Sequence, residues 1–459
     1  MLTQTIFVAF PALVAVVVCV LSGPERAILD VYLPALLLMP DYSWPLSLQL
    51  TVVDVTLLAI APFVLFSPQF RWKWCGFDIL VLAYIGLTVI SSCINNGYEY
   101  KQTQQIAIRE LCGFFLPYFI AKQSLSRDEF AVQLMKRIAV LLTAVAILSV
   151  YEFRLGRDLF LWPFNGIFPA IPGINYLFRY GFMRIKGPFG HPMALGVIMA
   201  IGYIIVRGLG WRGVWKEKLW RLPITKIRFC TWWILGGLIM SISYGDWIGA
   251  AAAAVMTSIC RAKNRRLAIA LLLLTLVFVA APVHSAWKAY TSVDWLATEL
   301  SGDKDRSDAA YRSELVRVYI PIIEERPGWG WGFDFPVQEN MLSIDNGYLY
   351  TALVYGTYAL ATWAAILLLA PLRLCLLGIR LPRDHPTAAT AFTIAAVYLA
   401  MALCNTEGAL TSNETIMGLF FILTGWSASL LQHREVEGAK LEASEPQGVG
   451  QLAFGRVLV

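Results

Sequence analysis

The stretch FMRIKGPFGHPMALGVIMAIGYIIVRG, residues 182–208, decides the class of fold because it joins cations to a long apolar run. A transmembrane helix needs about 20 mostly apolar residues, and residues 190–207 predict one. Arg184 and Lys186 precede it, two charges at the edge of a membrane span, where an unpaired charge is costly. The segment therefore predicts a membrane helix whose flanking cations need a counter-charge.

The composition extends this prediction to the whole chain. Of its 459 residues, 58% are hydrophobic and only 15% are charged, whereas a soluble domain has about 25% charged residues. The formal charge of +6 comes from short Lys and Arg clusters between apolar runs, a pattern that argues against nucleic-acid binding. The eight cysteines and four histidines are scattered, so we expect no disulfide framework, no metal site and no cofactor.

Hydropathy predicts an all-α, polytopic membrane protein with about 12–13 transmembrane helices. The predicted spans lie near 5–22, 26–40, 46–66, 77–94, 106–121, 137–152, 190–207, 222–242, 246–262, 267–284, 346–370, 387–405 and 415–432. Residues 1–152 are predicted to be N-terminal transmembrane helices, 153–432 a second transmembrane region that includes the loops 153–189 and 285–345 and holds the candidate functional segments, and 433–459 a flexible cytoplasmic tail.

Loop cations orient the spans, because short cytoplasmic loops are enriched in Lys and Arg. Five clusters mark cytoplasmic loops: Arg71 and Lys73; Lys122, Arg127, Lys136 and Arg137; residues 207–228; Arg261, Lys263, Arg265 and Arg266; and Arg373, Arg380 and Arg383. Residues 153–189, the turn 241–246 and the long stretch 285–345 then fall on the external side. A loop as long as 285–345 is usually functional when it is ordered, and we expect short helices in it.

Four features converge on that external side. They are RIKGPFGHP at 184–192, the turn SYGDWI at 243–248, the segment 312–334 with Arg312, Arg317, Glu324, Glu325 and Arg326, and DNGYLYTALVYG at 345–356.

With these motifs the chain resembles the O-antigen ligase and O-antigen polymerase superfamily of bacterial envelope glycosyltransferases. The first motif matches the family pattern through Arg184, Gly187, Phe189, His191 and Pro192; the second through Arg312, Pro327, Gly328, Gly330 and Gly332; and the third through Asp345, which stands where the family has His, and Gly356. The resemblance covers roughly residues 180–360.

Two departures favour the polymerase branch over the ligase branch. Tyr244 stands where family members often carry Arg in the hairpin, and Asp345 replaces the His on which the ligase branch relies. The resemblance implies a GT-C-like, metal-independent enzyme in the bacterial inner membrane, with its active site facing the periplasm. Its implied partners are an undecaprenyl-diphosphate-linked oligosaccharide, membrane lipids, and chain-length regulator and export proteins.

The implied reaction is an inverting transfer in which an acceptor hydroxyl attacks the anomeric carbon and undecaprenyl diphosphate departs. Arginine suits this leaving group, because its planar fork binds phosphate oxygens in bidentate fashion and stays charged. Arg184 and Arg312 are the predicted diphosphate ligands and Asp345 the predicted general base, with Asp246 and Glu324 as alternative bases. The alternative role for Asp345 is to orient the sugar through hydrogen bonds. The predicted substrate-binding residues are Lys186, His191, Tyr244, Asp246, Arg317, Trp329 and Trp331, the two tryptophans as sugar-stacking platforms.

Each of these residues also has a purely structural interpretation. Arg184 and Lys186 can be anchors that snorkel at a span end, and Asp345 can be a helix N-cap. Arg312 can pair with Glu314 or Asp308 along a solvated helix, and Tyr244 and Asp246 can simply close the hairpin. Gly245, Gly249 and the alanines at 250–254 predict close helix packing.

Two other functions stay open at this point. One is an O-antigen ligase that transfers finished glycan to a lipid A-core or another acceptor. The other is a transporter or flippase for the same lipid-linked glycan. Transporters commonly show internal repeats and helices broken at the bilayer midplane, whereas this sequence has one asymmetric external loop and charges at the membrane edge, which favours the enzyme.

Overall fold

The computed structural model describes residues 2–40, 50–67, 70, 72–97, 99–125, 128–157, 159–160, 177–179, 181–219, 223–264, 304–336 and 343–444. The helices are α1 (Leu2–Ser22), α2 (Pro24–Ala27), α3 (Leu33–Leu38), α4 (Val52–Leu65), α5 (Gly76–Asn96), α6 (Lys101–Arg109), α7 (Leu116–Ser124), α8 (Asp128–Leu155), α9 (Pro192–Trp211), α10 (Lys226–Met240), α11 (Tyr244–Arg261), α12 (Lys304–Glu325), α13 (Gly347–Tyr355), α14 (Thr357–Arg380), α15 (Pro386–Cys404) and α16 (Glu414–Ser444). Two short strands, β1 (Phe178–Arg179) and β2 (Phe182–Met183), pair antiparallel.

Seven of the described helices are long and apolar enough to cross a membrane. Their bounds are Leu2–Ser22, Gly76–Asn96, Asp128–Leu155, Pro192–Trp211, Thr357–Arg380, Pro386–Cys404 and Glu414–Gln432. Large apolar side chains such as Leu21, Trp232 and Leu368 remain exposed on the surface, as expected where a helix faces lipid and not water. The predicted all-α polytopic membrane fold is confirmed.

Two predicted spans, 26–40 and 106–121, are helices interrupted by π-helical turns. Ile28–Tyr32 and Glu110–Phe115 are the π segments, and each is followed within two residues by a proline, Pro34 or Pro117. Proline has no N–H and its ring clashes with the carbonyl four residues earlier. Widening the preceding turn to π geometry relieves that clash, as π-bulges do elsewhere.

α9 is the central helix of the bundle and packs against α8, α10, α11 and α15. Its glycines allow this close approach. A Cβ on Gly202 would lie 2.4 Å from Leu142 Cδ1, and one on Gly208 would lie 2.4 Å from Thr393 Oγ1. Small residues bring membrane helices into contact in this way. We call the end of the bundle where α9 begins the His191 end, and the end where it finishes the Trp211 end.

The predicted span 346–370 is broken into α13 and α14 at Gly356. This residue has φ +88° and ψ 171°, a region that is essentially restricted to glycine. The break leaves carbonyls at the end of α13 without N–H donors from the helix. The loop after α12 supplies these donors. Trp331 N donates to Leu353 O at 2.8 Å and Gly332 N donates to Val354 O at 3.0 Å. The glycine-rich loop GWGWG thus caps the broken helix.

Several predictions fall partly or wholly outside the described residues. The span 267–284 lies there, as do residues 285–303 and 337–342 of the loop 285–345. The described part of that loop contains α12, a helix of 22 residues where short helices were expected. Residues 161–176 of the loop 153–189 also lie outside. The last helix, α16, continues to Ser444, into the segment predicted to be a flexible tail. The count of 12–13 spans stays a prediction.

Candidate functional site

A cavity of about 500 Å³ opens at the His191 end of the bundle. We call it the site cavity. It is lined by Leu177, Arg179, Arg184, His191, Met193, Ala194, Ser243, Tyr244, Tyr311, Arg312, Ser343, Ile344, Asp345, Glu407, Ala409, Leu410, Ser412, Asn413 and Ile416. Segments distant in sequence therefore converge: the β-hairpin, the starts of α9, α11 and α13, the helix α12, and the connection between α15 and α16.

Arg184 follows the β-hairpin and is fixed to the turn between α10 and α11. Its backbone N donates to Leu177 O at 2.8 Å, and its side-chain Nε donates to Ser241 O at 3.0 Å. The side chain lines the site cavity, so Arg184 does not serve only as an anchor at the lipid surface. The hydrogen bond from Nε fixes the direction of a guanidinium group at the cavity wall, and guanidinium groups are suited to bind anions.

Glu152, at the end of α8, holds the segment that follows Arg184. Its two carboxylate oxygens accept hydrogen bonds from Lys186 N at 3.1 Å and Gly187 N at 2.9 Å. Glu152 is buried, and hydrogen bonds to an ionised acceptor are stronger than neutral ones. The carboxylate of Glu152 thus fixes the backbone between β2 and the short 3-10 helix Gly187–Phe189.

Arg312 of α12 points toward Glu407, which lies just after α15. Arg312 Nη2 is 3.8 Å from Glu407 Oε2, and the same oxygen accepts a hydrogen bond from Gly245 N at 2.7 Å. Of the two pairings that the sequence suggested for Arg312, the one with Glu314 does not appear among the ion pairs of the described residues, where Glu314 pairs with Arg317; the side chain of Asp308 lies outside the described residues. Arg312 is therefore oriented toward the cavity by a carboxylate from another helix connection.

Asp345 lies just before α13, where its side chain is not used as the helix cap. Asn346 is the N-cap, and its Oδ1 accepts from Tyr348 N and Leu349 N at 3.0 and 3.1 Å. The interpretation of Asp345 as an N-cap is therefore wrong. Its Oδ1 accepts a hydrogen bond from Ser343 Oγ at 2.5 Å, and the carboxylate lines the cavity.

His191 is the N-cap of α9. Its Nδ1 accepts a hydrogen bond from Met193 N at 3.2 Å, so the neutral imidazole carries its proton on Nε2 and can donate from there. Desolvation and the positive charge of Arg184 lower the pKa of His191 below its usual value of 6.5. The ring is consequently neutral at pH 7.

Arg179, on β1, brings a third guanidinium to the site cavity. Its Cζ lies 5.0 Å from the centre of the Tyr244 ring, a cation–π distance, and its Nη1 donates to Ile242 O at 3.4 Å. Three arginines, Arg179, Arg184 and Arg312, thus face two carboxylates, Asp345 and Glu407. Among the described lining residues the cavity carries a net positive charge, which suits an anionic ligand.

Five of the predicted site residues line this cavity, and five do not. Arg184, His191, Tyr244, Arg312 and Asp345 are lining residues. Lys186 and Asp246 are 3% and 1% exposed, and Asp246 packs against α9 so closely that a Cβ on Gly196 would lie 2.0 Å from its Oδ2. Of the three candidate bases, Asp345 is the one found in the lining. Asp246 is buried, and Glu324 is exposed on α12 outside the lining.

The remaining three residues have structural contacts elsewhere. The side chain of Arg317 is 78% exposed and pairs with Glu314. Trp329 packs edge-on against Tyr358, while Trp331 donates from Nε1 to Ile322 O at 2.8 Å and stacks on Arg326. The GWGWG loop is occupied in capping α13, and its tryptophans lie outside the cavity lining.

Sequence reasoning missed Glu407 and Arg179 as lining residues. Glu407 falls between the spans predicted at 387–405 and 415–432, on the side to which the loop cations assign the other motifs. This position between two spans was the sequence feature that could have identified Glu407. No sequence feature could have identified Arg179, because its place in the lining depends on the β-hairpin that brings it to Tyr244. The predicted close packing at Gly249 is confirmed, since a Cβ there would lie 2.8 Å from Cys404 Sγ.

Residues 229–364 match the family described as O-antigen ligase. The matched region runs from α10 to the first turns of α14 and contains Tyr244, Arg312, Asp345 and Gly356. The match confirms the resemblance to the O-antigen ligase and polymerase superfamily and supports glycosyltransferase activity of that general type, with a lipid-linked glycan as the substrate in the membrane. It does not distinguish ligase from polymerase. Comparison with curated proteins gives no significant match.

Proposed function

We propose that the chain is an inverting glycosyltransferase that polymerises undecaprenyl-diphosphate-linked oligosaccharide repeats at the periplasmic face of the bacterial inner membrane. One observation carries the proposal. Arg184, Arg312 and Asp345, which lie far apart in the sequence, line one cavity together with Glu407. That cavity combines guanidinium groups for an anionic leaving group with carboxylates for a hydroxyl acceptor.

In the proposed step, the acceptor hydroxyl forms a new bond to the anomeric carbon of the donor sugar. The bond from that carbon to the diphosphate oxygen breaks, and its electron pair stays with the departing diphosphate. Arg184 and Arg312 neutralise the charge that develops there, and preorganised donors of this kind lower barriers most when they need no rearrangement. Ser241 O and Glu407 hold these two guanidinium groups in place.

Asp345 accepts the proton of the attacking hydroxyl in this proposal. The carboxylate is not engaged in capping α13, and the hydrogen bond from Ser343 Oγ orients one of its oxygens. His191, neutral and with a proton on Nε2, is the group that donates a hydrogen bond to a sugar or phosphate oxygen. The guanidinium of Arg179 lies over the ring of Tyr244, at the start of α11. It thus adds a cation near the position in the helical hairpin where family members often carry Arg.

A ligase is the second candidate, and the description of the matching family as O-antigen ligase favours it. The two functions differ only in the acceptor. A polymerase needs a second lipid-linked repeat, whereas a ligase needs a different acceptor such as lipid A-core. Asp345, in place of the His of the ligase branch, favours the polymerase.

The test is an assay of the purified full-length chain with synthetic undecaprenyl-diphosphate oligosaccharide. A ladder of lengthened products supports polymerisation, a single shift onto an added lipid A-core acceptor supports ligation, and no covalent change supports transport.

Arg184→Ala and Arg312→Ala should each lose about 100- to 1,000-fold in rate, the cost of removing one transition-state donor. Arg317→Ala, on the same helix as Arg312 but outside the cavity lining, is the matched control and should keep wild-type activity. Wild-type rates for the first two variants would contradict the proposal.

A further inference from the structure

A second large cavity, about 560 Å³, opens at the Trp211 end of the bundle. We call it the basic cavity. Its lining residues are Val206, Arg207, Gly208, Gly210, Trp211, Ile227, Arg228, Thr231, Thr257, Arg261 and Thr393. It has no residue in common with the site cavity.

The two cavities lie at opposite ends of the same helices. α9 has 20 residues, and a rise of about 1.5 Å per residue makes it roughly 30 Å long, the thickness of the hydrocarbon core of a bilayer. His191, at the start of α9, lines the site cavity, while Arg207 and Trp211, at its end, line the basic cavity. α11 repeats the arrangement, from Tyr244 to Arg261. The basic cavity is thus at the opposite membrane surface.

Its charge is unbalanced. Arg207, Arg228 and Arg261 are lining residues, and no carboxylate is found among the lining residues that the structure describes. None of the three takes part in an ion pair with a described residue, whereas the nearby Arg212 is paired with Asp128 at 2.5 Å. Arg207 Nη2 donates to the neutral Ser258 Oγ at 2.9 Å, and its buried Nε has no hydrogen-bond acceptor among the described residues.

Helix ends alone do not explain these three arginines. α9 and α11 finish at the basic cavity, so Arg207 and Arg261 lie near helix C-termini, where a cation is favourable. Arg228 is different, because it lies in the first turn of α10, where the helix end is itself positive and a cation is unfavourable. The backbone N–H groups at this end already have acceptors, since Lys226 N donates to Glu217 O at 3.0 Å and Arg228 N donates to Thr225 Oγ1 at 3.4 Å. An anion in the basic cavity would instead neutralise the three arginine side chains together.

We propose that the basic cavity binds a phosphate group, that of an anionic phospholipid in the leaflet at the Trp211 end. Basic pockets between membrane helices are a known arrangement for such headgroups, and guanidinium groups bind phosphate oxygens in bidentate fashion. The apolar members of the lining, Val206, Trp211 and Ile227, suit the glycerol and upper acyl region of a lipid. The inference is independent of the proposed glycosyl transfer.

The test measures lipid binding to the full-length chain, purified and delipidated in an uncharged detergent. Native mass spectrometry and thermal unfolding are followed while phosphatidylglycerol, phosphatidylcholine or inorganic phosphate is added. The double variant R228Q/R261Q changes two exposed side chains and so spares the packed interior; R207Q is tested separately. R380Q, an exposed arginine at the end of α14 outside the basic cavity, is the matched control.

We expect phosphatidylglycerol to bind the wild type and R380Q equally, and to bind R228Q/R261Q at least tenfold more weakly. Phosphatidylcholine should give a smaller stabilisation that the substitutions do not change. If inorganic phosphate alone stabilises the wild type in the same arginine-dependent way, the phosphate site is upheld and its source is a soluble ligand, not a lipid. Equal phosphatidylglycerol binding by the wild type and the double variant, or binding of neither phosphate source, would overturn the proposal.

Discussion

Arg312 and Glu407 meet across the site cavity, with Nη2 and Oε2 3.8 Å apart. Glu407 Oε2 also accepts a hydrogen bond from Gly245 N at 2.7 Å, so one carboxylate joins α12 to the start of α11. The pair is partly exposed, and such pairs contribute about 1 kcal/mol or less to stability. Its consequence is therefore mainly geometric, since it fixes the direction of the Arg312 guanidinium.

Glu407→Gln should reduce the turnover number while leaving the protein folded. The amide keeps an oxygen that can accept from Gly245 N, but the charge that orients Arg312 is lost. Misplacement of a catalytic group by about 1 Å can cost roughly 100-fold, so we expect a fall in kcat of up to about 100-fold with normal abundance and thermal stability. An unchanged kcat in the extension assay would show that Glu407 does not position Arg312.

Gly245→Ala tests the contact between Arg312 and Glu407 by displacing the Glu407 carboxylate instead of removing its charge. A Cβ on Gly245 would lie 2.1 Å from Glu407 Cδ, so the carboxylate must move away from the α11 backbone and from its position beside Arg312. We expect a loss of activity similar to that of Glu407→Gln. Gly236→Ala is the control, because a Cβ there meets nothing within 4 Å and alanine is the better helix former by about 1 kcal/mol. Activity that survives in both variants alike would contradict the assigned role of Gly245.

His191→Asn should change the pH dependence of stability. The pKa of His191 is lowered from 6.5 by desolvation and by Arg184, so below 6.5 the unfolded chain takes up a proton before the folded chain does. Stability should therefore fall as the pH drops from 6.5 to the folded pKa, and then level off. Asparagine also caps helices well and does not titrate, so this component should disappear from thermal unfolding curves recorded between pH 8 and 5. If the two proteins lose stability in parallel across that range, His191 is not the titrating group.

Much of the fold follows from hydropathy, because lipid requires long apolar helices. The sequence could predict which segments form the cavity only as far as topology does. It assigns RIKGPFGHP, the turn between α10 and α11, and DNGYLYTALVYG to the same side of the membrane. Hydropathy gives a side of the membrane but not a distance, so it could not distinguish Arg312, which lines the cavity, from Arg317 on the same helix, whose side chain points into solvent.

The tryptophans of the GWGWG loop illustrate why the other predictions missed the cavity. They were predicted to stack on sugar rings, but the backbone N–H groups of Trp331 and Gly332 donate to carbonyls of α13. The break at Gly356 creates unsatisfied carbonyls within the bundle, and the loop is drawn to them. That requirement arises only when α12, α13 and the intervening loop are brought together, so no local pattern in the sequence reveals it. Lys186 is similar, because Glu152 fixes its backbone from a distant helix.

A buried ion pair between α5 and α7 should be important for folding. Lys122 Nζ is 2.6 Å from Asp78 Oδ2, and both side chains are almost fully buried; Tyr118 OH donates to the same carboxylate at 2.7 Å. Removing one partner of a buried pair costs about 3–5 kcal/mol, because it leaves a buried charge uncompensated. Asp78→Ala should therefore unfold at a much lower temperature in detergent than the wild type.

The exposed pair Lys226 and Glu217 provides the matched control for that experiment. Glu217→Ala should leave the unfolding temperature almost unchanged, because solvent screens exposed ion pairs. The double variant Asp78→Ala/Lys122→Met should recover part of the loss, since both charges are then absent. Equal effects of Asp78→Ala and Glu217→Ala would show that burial of the first pair has no energetic consequence.

Gly356→Ala should prevent the broken helix from forming correctly. A Cβ at this position would lie 2.0 Å from Gly328 O, and the backbone conformation alone costs a non-glycine residue about 1–3 kcal/mol. The loop from Pro327 to Gly332 would have to move away, leaving Leu353 O and Val354 O without donors. Membrane abundance and unfolding temperature should both fall, whereas Gly86→Ala, in α5 and with open space around its Cα, should leave both unchanged. A stable Gly356→Ala protein would mean that α13 and α14 can join into one continuous helix, so that the loop is not required to cap a break.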